Sequence, residues 1–149
     1  MENIIIRKAT FSDLPIVSEL FYKMADSLAR KDNVDVNTAV KNYHNILRDG
    51  NSHMLLAEAD NRIVGFVNFT IRQTLLHIGY SGLVDELVVT DDFRDKDIGS
   101  KLLDAAIKEC KNLGCCEVEV STESSNISAV QFYKRYGFDE KDVFLEKDL

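Results

Sequence analysis

Proline is nearly absent from this chain, and so are the biased stretches that join separate domains. The 149 residues contain a single proline, Pro15, and no run rich in proline or in glycine and serine. Linkers between domains are commonly built from such runs, and no internal repeat divides the chain. Because this length is that of one ordinary domain, we expect a single domain over residues 1–149.

Long apolar segments are also missing. The Ile4-Ile5-Ile6 run is too short for the apolar part of a signal peptide. No stretch approaches the ~20 apolar residues of a membrane span, so we expect no membrane partner and a cytoplasmic location. Cys110, Cys115 and Cys116 are odd in number and two are adjacent. This arrangement does not suit a disulfide framework and is compatible with a reducing compartment.

Basic residues are outnumbered, with 18 Lys and Arg against 25 Asp and Glu and a net charge of −7. Nucleic-acid surfaces need clustered Lys and Arg, so we expect no nucleic-acid partner. The charge is compatible with a cationic substrate, although acidic composition more often serves solubility. His44, His53 and His77 lack a spacing suited to a metal, and Cys115-Cys116 have no partner pair, so no metal site is predicted.

What the chain does contain is an alternation of strand and helix patterns. The periodicity and turn residues predict strands over 3–9, 52–59, 62–74, 82–90, 117–121 and 138–149 (one or two strands), and helices over 12–30, 37–48, 98–113 and 127–136. Ser12-Asp13 is the expected N-cap of the first helix, and Asp60-Asn61 is a tight hairpin signal.

The order of these elements, β-α-α-β-β-β-α-β-α-β, defines an α/β domain with a mixed sheet. A helix joins the strand that ends near Thr90 to the strand at 117–121, so these two strands should be parallel neighbours. The buried stripe of that helix is expected to comprise Ile98, Leu102, Ala106, Cys110 and Leu113.

The segment Arg94-Asp95-Lys96-Asp97-Ile98-Gly99-Ser100 follows a strand and opens a helix. Backbone N–H groups at a helix N-terminus can hold a pyrophosphate. Arg94 and Lys101 add positive charge, Gly99 allows close backbone approach, and Ser100 adds a hydroxyl. The alternative is an ordinary strand–helix turn that needs a glycine.

A second informative segment spans 126–138 and contains Asn-Ile-Ser-Ala-Val-Gln-Phe-Tyr-Lys-Arg-Tyr-Gly-Phe. It places the phenol of Tyr133 on a helix that ends at Gly137, where it could lie beside the same ligand. A core aromatic next to Phe132 is the alternative for Tyr133, and we assign the nearby Tyr136 to packing. Together the two segments suggest coenzyme A binding and acyl transfer.

These segments resemble two motifs of the GNAT N-acetyltransferase superfamily. Residues 84–103 are similar to its motif A, Arg/Gln-x-x-Gly-x-Gly/Ala after a strand, and residues 126–138 are similar to its motif B. The element order also fits the GNAT fold, so the resemblance covers essentially the whole chain. It implies acetyl-CoA as cosubstrate, no metal, and a single N-acetyltransferase domain. Dimers are common in this fold, which makes a homodimer an expectation.

The resemblance also implies where acetyl-CoA binds. It should lie in a V-shaped opening between residues 87–89 and residues 117–121, with the pantetheine paired to main chain like an added strand. The pyrophosphate should rest on loop 94–100. The implied cofactor-binding residues are Leu87, Val88, Val89, Arg94, Asp95, Lys96, Asp97, Ile98, Gly99, Ser100, Lys101, Asn126, Ala129, Phe132 and Tyr133.

One departure from the family pattern concerns Asp97, because the family has glycine there and often also where Asp95 stands. An aspartate at 97 would be a good N-cap, so its carboxylate could occupy the N–H groups that a pyrophosphate needs. It also adds negative charge beside an anion. Arg94, Lys96 and Lys101 can compensate, so binding remains the expectation. A non-catalytic acyl-CoA-binding module is the alternative that Asp97 supports.

The implied reaction is direct attack of an amine on the thioester, with a tyrosine donating a proton to the leaving thiolate. Tyr133 occupies the position of that acid. For the base, Glu86 is our first choice and Asp85 the second, since residues 83–89 are similar to the paired acids of diamine-type members. Strand alternation predicts that the two carboxylates point to opposite faces. Structural carboxylates, backbone groups or a water chain are the alternatives.

The sequence thus predicts acetyl transfer to the primary amine of a small molecule, such as a polyamine, amino sugar or amino acid. Acetylation of a protein N-terminus or lysine is the alternative, and it predicts an open groove between loops 29–38 and 73–81. Specificity is expected to come from these loops and the first two helices. Four residues could line a pocket, although core packing is the commoner role for each: Tyr22, Tyr43, His77 and Tyr80.

Overall fold

The computed structural model describes residues 3–27 and 35–149. Within these residues five strands and four α-helices follow one another along the chain. They are β1 (Ile4–Lys8), α1 (Leu14–Ser27), α2 (Val36–Arg48), β2 (Ser52–Ala59), β3 (Arg62–Arg72), β4 (Tyr80–Val89), α3 (Ile98–Asn112), β5 (Cys115–Val120) and α4 (Ile127–Arg135). Short 3-10 turns at Phe11–Asp13 and Asp91–Phe93 precede α1 and α3.

One sheet holds all five strands in the order β1-β2-β3-β4-β5. The first four are antiparallel neighbours, and β5 pairs parallel to β4. The parallel pair confirms the prediction from the intervening helix, because a crossover through α3 returns the chain in the same direction. The mixed α/β fold is therefore confirmed. No helix in the described ranges has the length and apolar character needed to cross a membrane.

The sheet is buried on both faces, as the alternation along β3 shows. Val67 and Phe69 belong to a core cluster that includes α3 residues such as Leu102. Phe66, one residue along, belongs to a second cluster with Val17 of α1 and Tyr43 of α2. Successive side chains of a strand point to opposite faces. The sheet therefore separates an α3 face from an α1/α2 face.

The predicted stripe of α3 is confirmed at four positions and wrong at the fifth. The side chains of Ile98, Leu102, Ala106 and Cys110 are buried, whereas Leu113 is 37% exposed. The helix ends at Asn112, so Leu113 no longer follows the helical period.

The start of α1 differs from the predicted N-cap at Ser12-Asp13. The chain first makes the 3-10 turn Phe11–Asp13, whose N-cap is Thr10. The Asp13 carboxylate accepts from the Thr10 backbone N–H at 2.8 Å and from the Arg7 guanidinium at 2.8 Å. Asp13 thus serves as the acidic partner of a capping box. Predicted helical positions 28–30 lie outside the described residues.

Left-handed residues form the turns where the sequence predicted them. Asp60 and Asn61 have φ of 48° and 64°, as a tight two-residue hairpin requires. Gly137 has φ of 97° after α4, and the next residue, Phe138, donates its backbone N–H to the Tyr133 carbonyl at 3.0 Å. Such a turn satisfies the last carbonyls of a helix.

The predicted final strand over 138–149 is wrong. The structure contains no strand among these described residues, and the side chains from 139 to 149 are exposed. Only three consecutive apolar residues, Val143, Phe144 and Leu145, stand between charged runs. So short a segment offers no alternating apolar face to bury, although Phe138 packs against the core.

Candidate active site

The sheet opens beside the second half of β4. The pairing of β4 with β5 ends at Val84 and Val120, followed by a backbone bond of 3.4 Å from Ser121 N–H to the Val84 carbonyl. β4 continues to Val89, and on this side it has no neighbouring strand in the described part of the chain. The opening therefore begins at the carboxyl end of β5, and residues 117–120 lie in the paired part rather than along it.

Backbone groups of β4 point into this opening. The Thr90 N–H donates to the Val64 carbonyl at 2.9 Å, so Thr90 faces β3. The direction of main-chain groups alternates along an antiparallel strand. The N–H and C=O of Leu87 and Val89 therefore point away from β3 and toward the open side.

Loop 94–100 joins this edge to the N-terminus of α3. Asp95 and Asp97 adopt left-handed backbone with φ of 63° and 59°, which explains why glycine suits both positions. Asp97 occupies the N-cap position of α3, but its side chain makes no capping hydrogen bond. The expectation that this carboxylate occupies the helix N–H groups is thus wrong, because a left-handed N-cap directs the side chain elsewhere.

Two residues of this loop, Arg94 and Lys96, carry positively charged side chains. The Arg94 guanidinium forms an ion pair of 2.9 Å with Asp91, and both groups are exposed. The Lys96 ammonium lies 4.5 Å from the centre of the Phe93 ring. These contacts are at the surface, where ion pairs contribute little stability, so Arg94 can change partners at small cost.

The first turn of α3, the end of β4 and α4 meet at Gly99. A Cβ on Gly99 would lie 3.8 Å from the Phe132 ring and 3.9 Å from the Val89 side chain. Both are ordinary contact distances, so the protein itself does not require glycine here. The structure thus brings Gly99 of the first motif close to Phe132 of the second.

Tyr133 is buried on α4, with 8% of its surface exposed. Its ring packs edge-on against Phe132 and Phe138, with centroid distances of 5.3 and 5.8 Å. Burial raises the pKa of Tyr133 to about 12, so the phenol carries its proton at neutral pH. The neighbouring helix start is fixed by Asn126, whose side-chain oxygen accepts from the Ala129 N–H at 3.2 Å.

Tyr136 has the packing role expected for it. Its hydroxyl donates to the Asp104 carboxylate and lies 3.3 Å from the Ser100 carbonyl. These bonds tie α4 to α3.

The two carboxylates of β4 lie at an irregularity of the sheet. Asn68 of β3 pairs with Glu86, but the next residue, Phe69, pairs with Val84. Asp85 is therefore an extra residue in β4, which defines a β-bulge. A bulge shifts the alternation of side chains by one position.

As a result both carboxylates are on the α1/α2 face, and the prediction of opposite faces is wrong. The Asn68 amide donates to Glu86 Oε2 at 2.6 Å, and the Thr70 hydroxyl donates to Asp85 Oδ2 at 3.2 Å. Asn68 and Thr70 are two residues apart on β3 and share a face. Their acidic partners consequently lie side by side.

This arrangement raises the basicity of both acids. Burial raises the pKa of Glu86, the Asn68 hydrogen bond opposes this, and the charge of Asp85 raises it further. Burial likewise raises the pKa of Asp85, while Thr70 and the charge of Arg72 lower it. Carboxylates with raised pKa values are suited to accept a proton near neutral pH.

Two of the four predicted pocket residues have structural partners. The buried Tyr43 donates its hydroxyl to the Thr10 carbonyl at 2.5 Å. His77 contacts Glu117 through Nε2 at 2.7 Å and Thr74 through Nδ1 at 2.6 Å. Both side chains therefore hold local structure, as the packing interpretation expected.

The side-chain hydroxyls of the other two, Tyr80 and Tyr22, have no hydrogen bond to the described residues. Tyr80 is partly exposed beside Gly114, and the buried Tyr22 hydroxyl has no hydrogen-bond partner. Positions 29–34 of the predicted specificity loop lie outside the described residues.

Sequence reasoning missed Asn68. Its only signal was a single amide in the middle of a long apolar run over 63–71. The periodicity treats such a residue as an outward-facing position. The bulge and the pairing of Asn68 with Glu86 are what make it part of the site.

Comparison with known proteins first identifies the class, that of acetyltransferases. The model of the acetyltransferase (GNAT) family matches residues 18–138. Aminoalkylphosphonate N-acetyltransferase from Salmonella typhimurium (strain LT2) is 30% identical over 97% of this chain and 90% of its own length. The chain belongs to the GNAT family and is an acetyltransferase.

Two further comparisons agree over the whole chain. Glucosamine 6-phosphate N-acetyltransferase from Arabidopsis thaliana is 24% identical over 98% of this chain and 97% of its own length. The structure of an aminoglycoside N-acetyltransferase in complex with CoA has a TM-score of 0.86 at 19% identity, covering 100% of this chain and 97% of that one. The structural likeness shows the fold.

Proposed function

We propose that this protein transfers the acetyl group of acetyl-CoA to the primary amine of a small molecule. The observation that carries the proposal is the unpaired edge of β4, which leads to a helix N-terminus and carries the half-buried Glu86 beside the exposed Asp85. The aminoglycoside N-acetyltransferase of the same fold is in complex with CoA.

In this proposal acetyl-CoA pairs with β4. The pantetheine amides bond to the outward-pointing main chain of Leu87 and Val89, on either side of Val88, as an added strand would. The pyrophosphate binds the first N–H groups of α3, which the Asp97 side chain leaves uncapped.

The remaining contacts come from the loop and from α4. Asn126, Ala129, Phe132 and Tyr133 line the other wall. Loop 94–100 and the start of α3 surround the phosphates with Arg94, Asp95, Lys96, Ile98, Gly99, Ser100 and Lys101.

In the proposed reaction Glu86 acts as the base and Tyr133 as the acid. Glu86 takes a proton from the acceptor ammonium, and the neutral amine attacks the thioester carbonyl to give a tetrahedral intermediate. When the carbon–sulfur bond breaks, the thiolate of CoA receives a proton from the Tyr133 hydroxyl, and the Tyr133 phenolate regains a proton from the positively charged nitrogen of the intermediate, directly or through water. Asp85 or a bound water is the second choice for the base. No step of this mechanism requires a metal.

We favour a small acceptor over a protein because two relatives that match this chain over nearly their whole length have names that specify a small-molecule acceptor. The acceptors are an aminoalkylphosphonate and glucosamine 6-phosphate. A cytoplasmic location and a homodimer stay predictions from the sequence.

The test begins with calorimetric titration of acetyl-CoA at near-physiological salt. We expect one-to-one binding with micromolar affinity. Turnover is then measured as release of free CoA with 2-aminoethylphosphonate, glucosamine 6-phosphate, neamine, putrescine and a peptide N-terminus. Binding without turnover of any small amine would contradict the proposed function, and turnover of the peptide alone would favour the protein-acetylating alternative.

A further inference from the structure

Asn68 is a buried polar residue whose hydrogen bonding is incomplete. It lies on the central strand β3 with 5% of its surface exposed. Its Nδ2 donates to Glu86 Oε2 at 2.6 Å, but its Oδ1 is buried and has no partner. Nearly all buried polar atoms in proteins are hydrogen-bonded, and an unpaired one destabilises the folded state. A ligand that brings a donor would supply the missing bond.

The unpaired oxygen belongs to a group of acceptors on one face of the sheet. Glu86 uses Oε2 for Asn68 and Asp85 uses Oδ2 for Thr70. The second oxygen of each carboxylate has no hydrogen bond to the described residues. Three acceptor atoms therefore remain, one from each of Asn68, Glu86 and Asp85.

No cation of the described part of the chain forms a salt bridge with Glu86 or Asp85. The Arg72 guanidinium, whose charge acts on Asp85, pairs with Glu119 at 2.5 Å. A primary ammonium carries one positive charge and three N–H donors. Its charge is opposite to that of the carboxylates, and its three donors equal the number of free acceptors.

We infer that Asn68 is a specificity-determining residue that, together with Glu86, binds the protonated primary amine of the acceptor. The inference rests on the proposed function and extends it to the form in which the acceptor binds. Because the Asn68 Nδ2 already donates to Glu86 Oε2, the ammonium proton passes to the other carboxylate oxygen of Glu86. The products of this transfer are a neutral amine and a carboxylic acid, and the amine then attacks the thioester.

A consequence is selectivity for primary over secondary amines. An N-methylated acceptor presents two donors in place of three, so one acceptor at the site stays unpaired. A hydroxyl acceptor lacks the charge as well. The enzyme should therefore discriminate by the number of N–H donors.

The experiment compares the wild type with Asn68→Leu, which has a similar volume and no polar side-chain atoms. With the best acceptor of the amine panel, we expect the KM for the amine to rise roughly 10- to 100-fold, the loss typical of a hydrogen bond to a charged group. Calorimetric affinity for acetyl-CoA should be unchanged. Asn112→Leu, an exposed substitution at the end of α3, serves as the matched control.

A second readout separates amine binding from a merely structural role. The ratio of kcat/KM for the primary acceptor to that for its N-methyl derivative should fall roughly ten-fold in Asn68→Leu. A variant that is only less stable would lose both activities equally. The wild-type ratio alone tests the inference should Asn68→Leu fail to fold, since a wild type without preference would overturn it.

The outcomes distinguish this inference from the proposed function. If the wild type acetylates small amines and Asn68→Leu keeps the same amine KM and the same ratio, the role of Asn68 is refuted while the function stands. If no amine is acetylated, the function fails, and calorimetric titration of the same amines into the CoA-loaded protein decides the rest. Binding that Asn68→Leu abolishes supports the ammonium site, and no binding refutes it.

Discussion

Replacing Asp97 tests how loop 94–100 holds an anion. Asp97 has φ of 59° and ψ of 13°, and it receives no compensating capping bond. The left-handed conformation costs an L-residue roughly 1–2 kcal/mol, whereas a glycine loses about 0.5–1 kcal/mol through its freedom in the unfolded chain. Asp97→Gly should therefore raise the free energy of unfolding by roughly 0.5–1 kcal/mol.

The same substitution should tighten CoA binding. A unit charge about 5 Å from a phosphate costs about 1 kcal/mol in a water-like dielectric and more in a drier one. Asp97 is exposed, so the lower value applies. We expect the Kd for CoA to fall roughly five-fold in Asp97→Gly, and the gain should shrink as salt increases.

Asp97→Asn separates the two effects, because asparagine tolerates the left-handed region and has no charge. Calorimetric titration with CoA and urea unfolding of all three proteins give the comparison. We expect both variants to bind more tightly and only Asp97→Gly to gain the full stability. Wild-type affinity in Asp97→Asn would show that the charge is not felt at the phosphate. Unchanged stability in Asp97→Gly would show that the backbone is not strained.

Other predictions concern catalysis and acid stability. Tyr133→Phe should lower kcat roughly 10- to 10⁴-fold with unchanged CoA affinity, whereas Tyr136→Phe should chiefly lower stability; equal kcat losses would remove Tyr133 from the mechanism. Glu86→Gln should displace the rising limb of the pH–rate profile, and an unmoved limb would assign the base to its neighbour or to water. Arg7 lowers the pKa of Asp13 to about 2, so this pair stabilises the fold above the ordinary carboxyl pKa near 4 and loses its effect as pH falls toward 2. Urea unfolding across that range should show a weaker dependence in Arg7→Met than in the wild type, because the bond from Thr10 to the Asp13 carboxylate remains.

Much of the fold was predictable because its elements have strong periods and clear ends. The hairpin at Asp60-Asn61 and the helix ends at Gly114 and Gly137 depend on residues that tolerate left-handed backbone. The parallel neighbours β4 and β5 followed from the connecting helix. Segment 138–149 was mispredicted because its three consecutive apolar residues, between charged runs, offer no alternating apolar face to bury.

The site was less predictable because its geometry depends on backbone irregularities. Strand alternation cannot reveal that Asp85 is an extra residue, so the sequence wrongly placed Asp85 and Glu86 on opposite faces. Asn68 likewise looked like an ordinary polar interruption of an apolar run, because alternation does not reveal that it pairs with Glu86 at the bulge. The conformation of Asp97, rather than its identity, decides whether its carboxylate covers the helix N-terminus.

The sheet order has a consequence for how the protein folds. The strands β2, β3 and β4 follow one another as an antiparallel meander, whereas β1 reaches β2 only across α1 and α2, and β5 reaches β4 only across α3. Contacts that close longer loops form later and at greater entropic cost. The opening beside β4 thus lies where antiparallel strand pairs that form early in folding meet the β4–β5 pair, which forms later. Hydrogen exchange should find β5 and α4 in a less protected unit than β2 and β3, so the part of the protein that would hold acetyl-CoA is also the part that opens first.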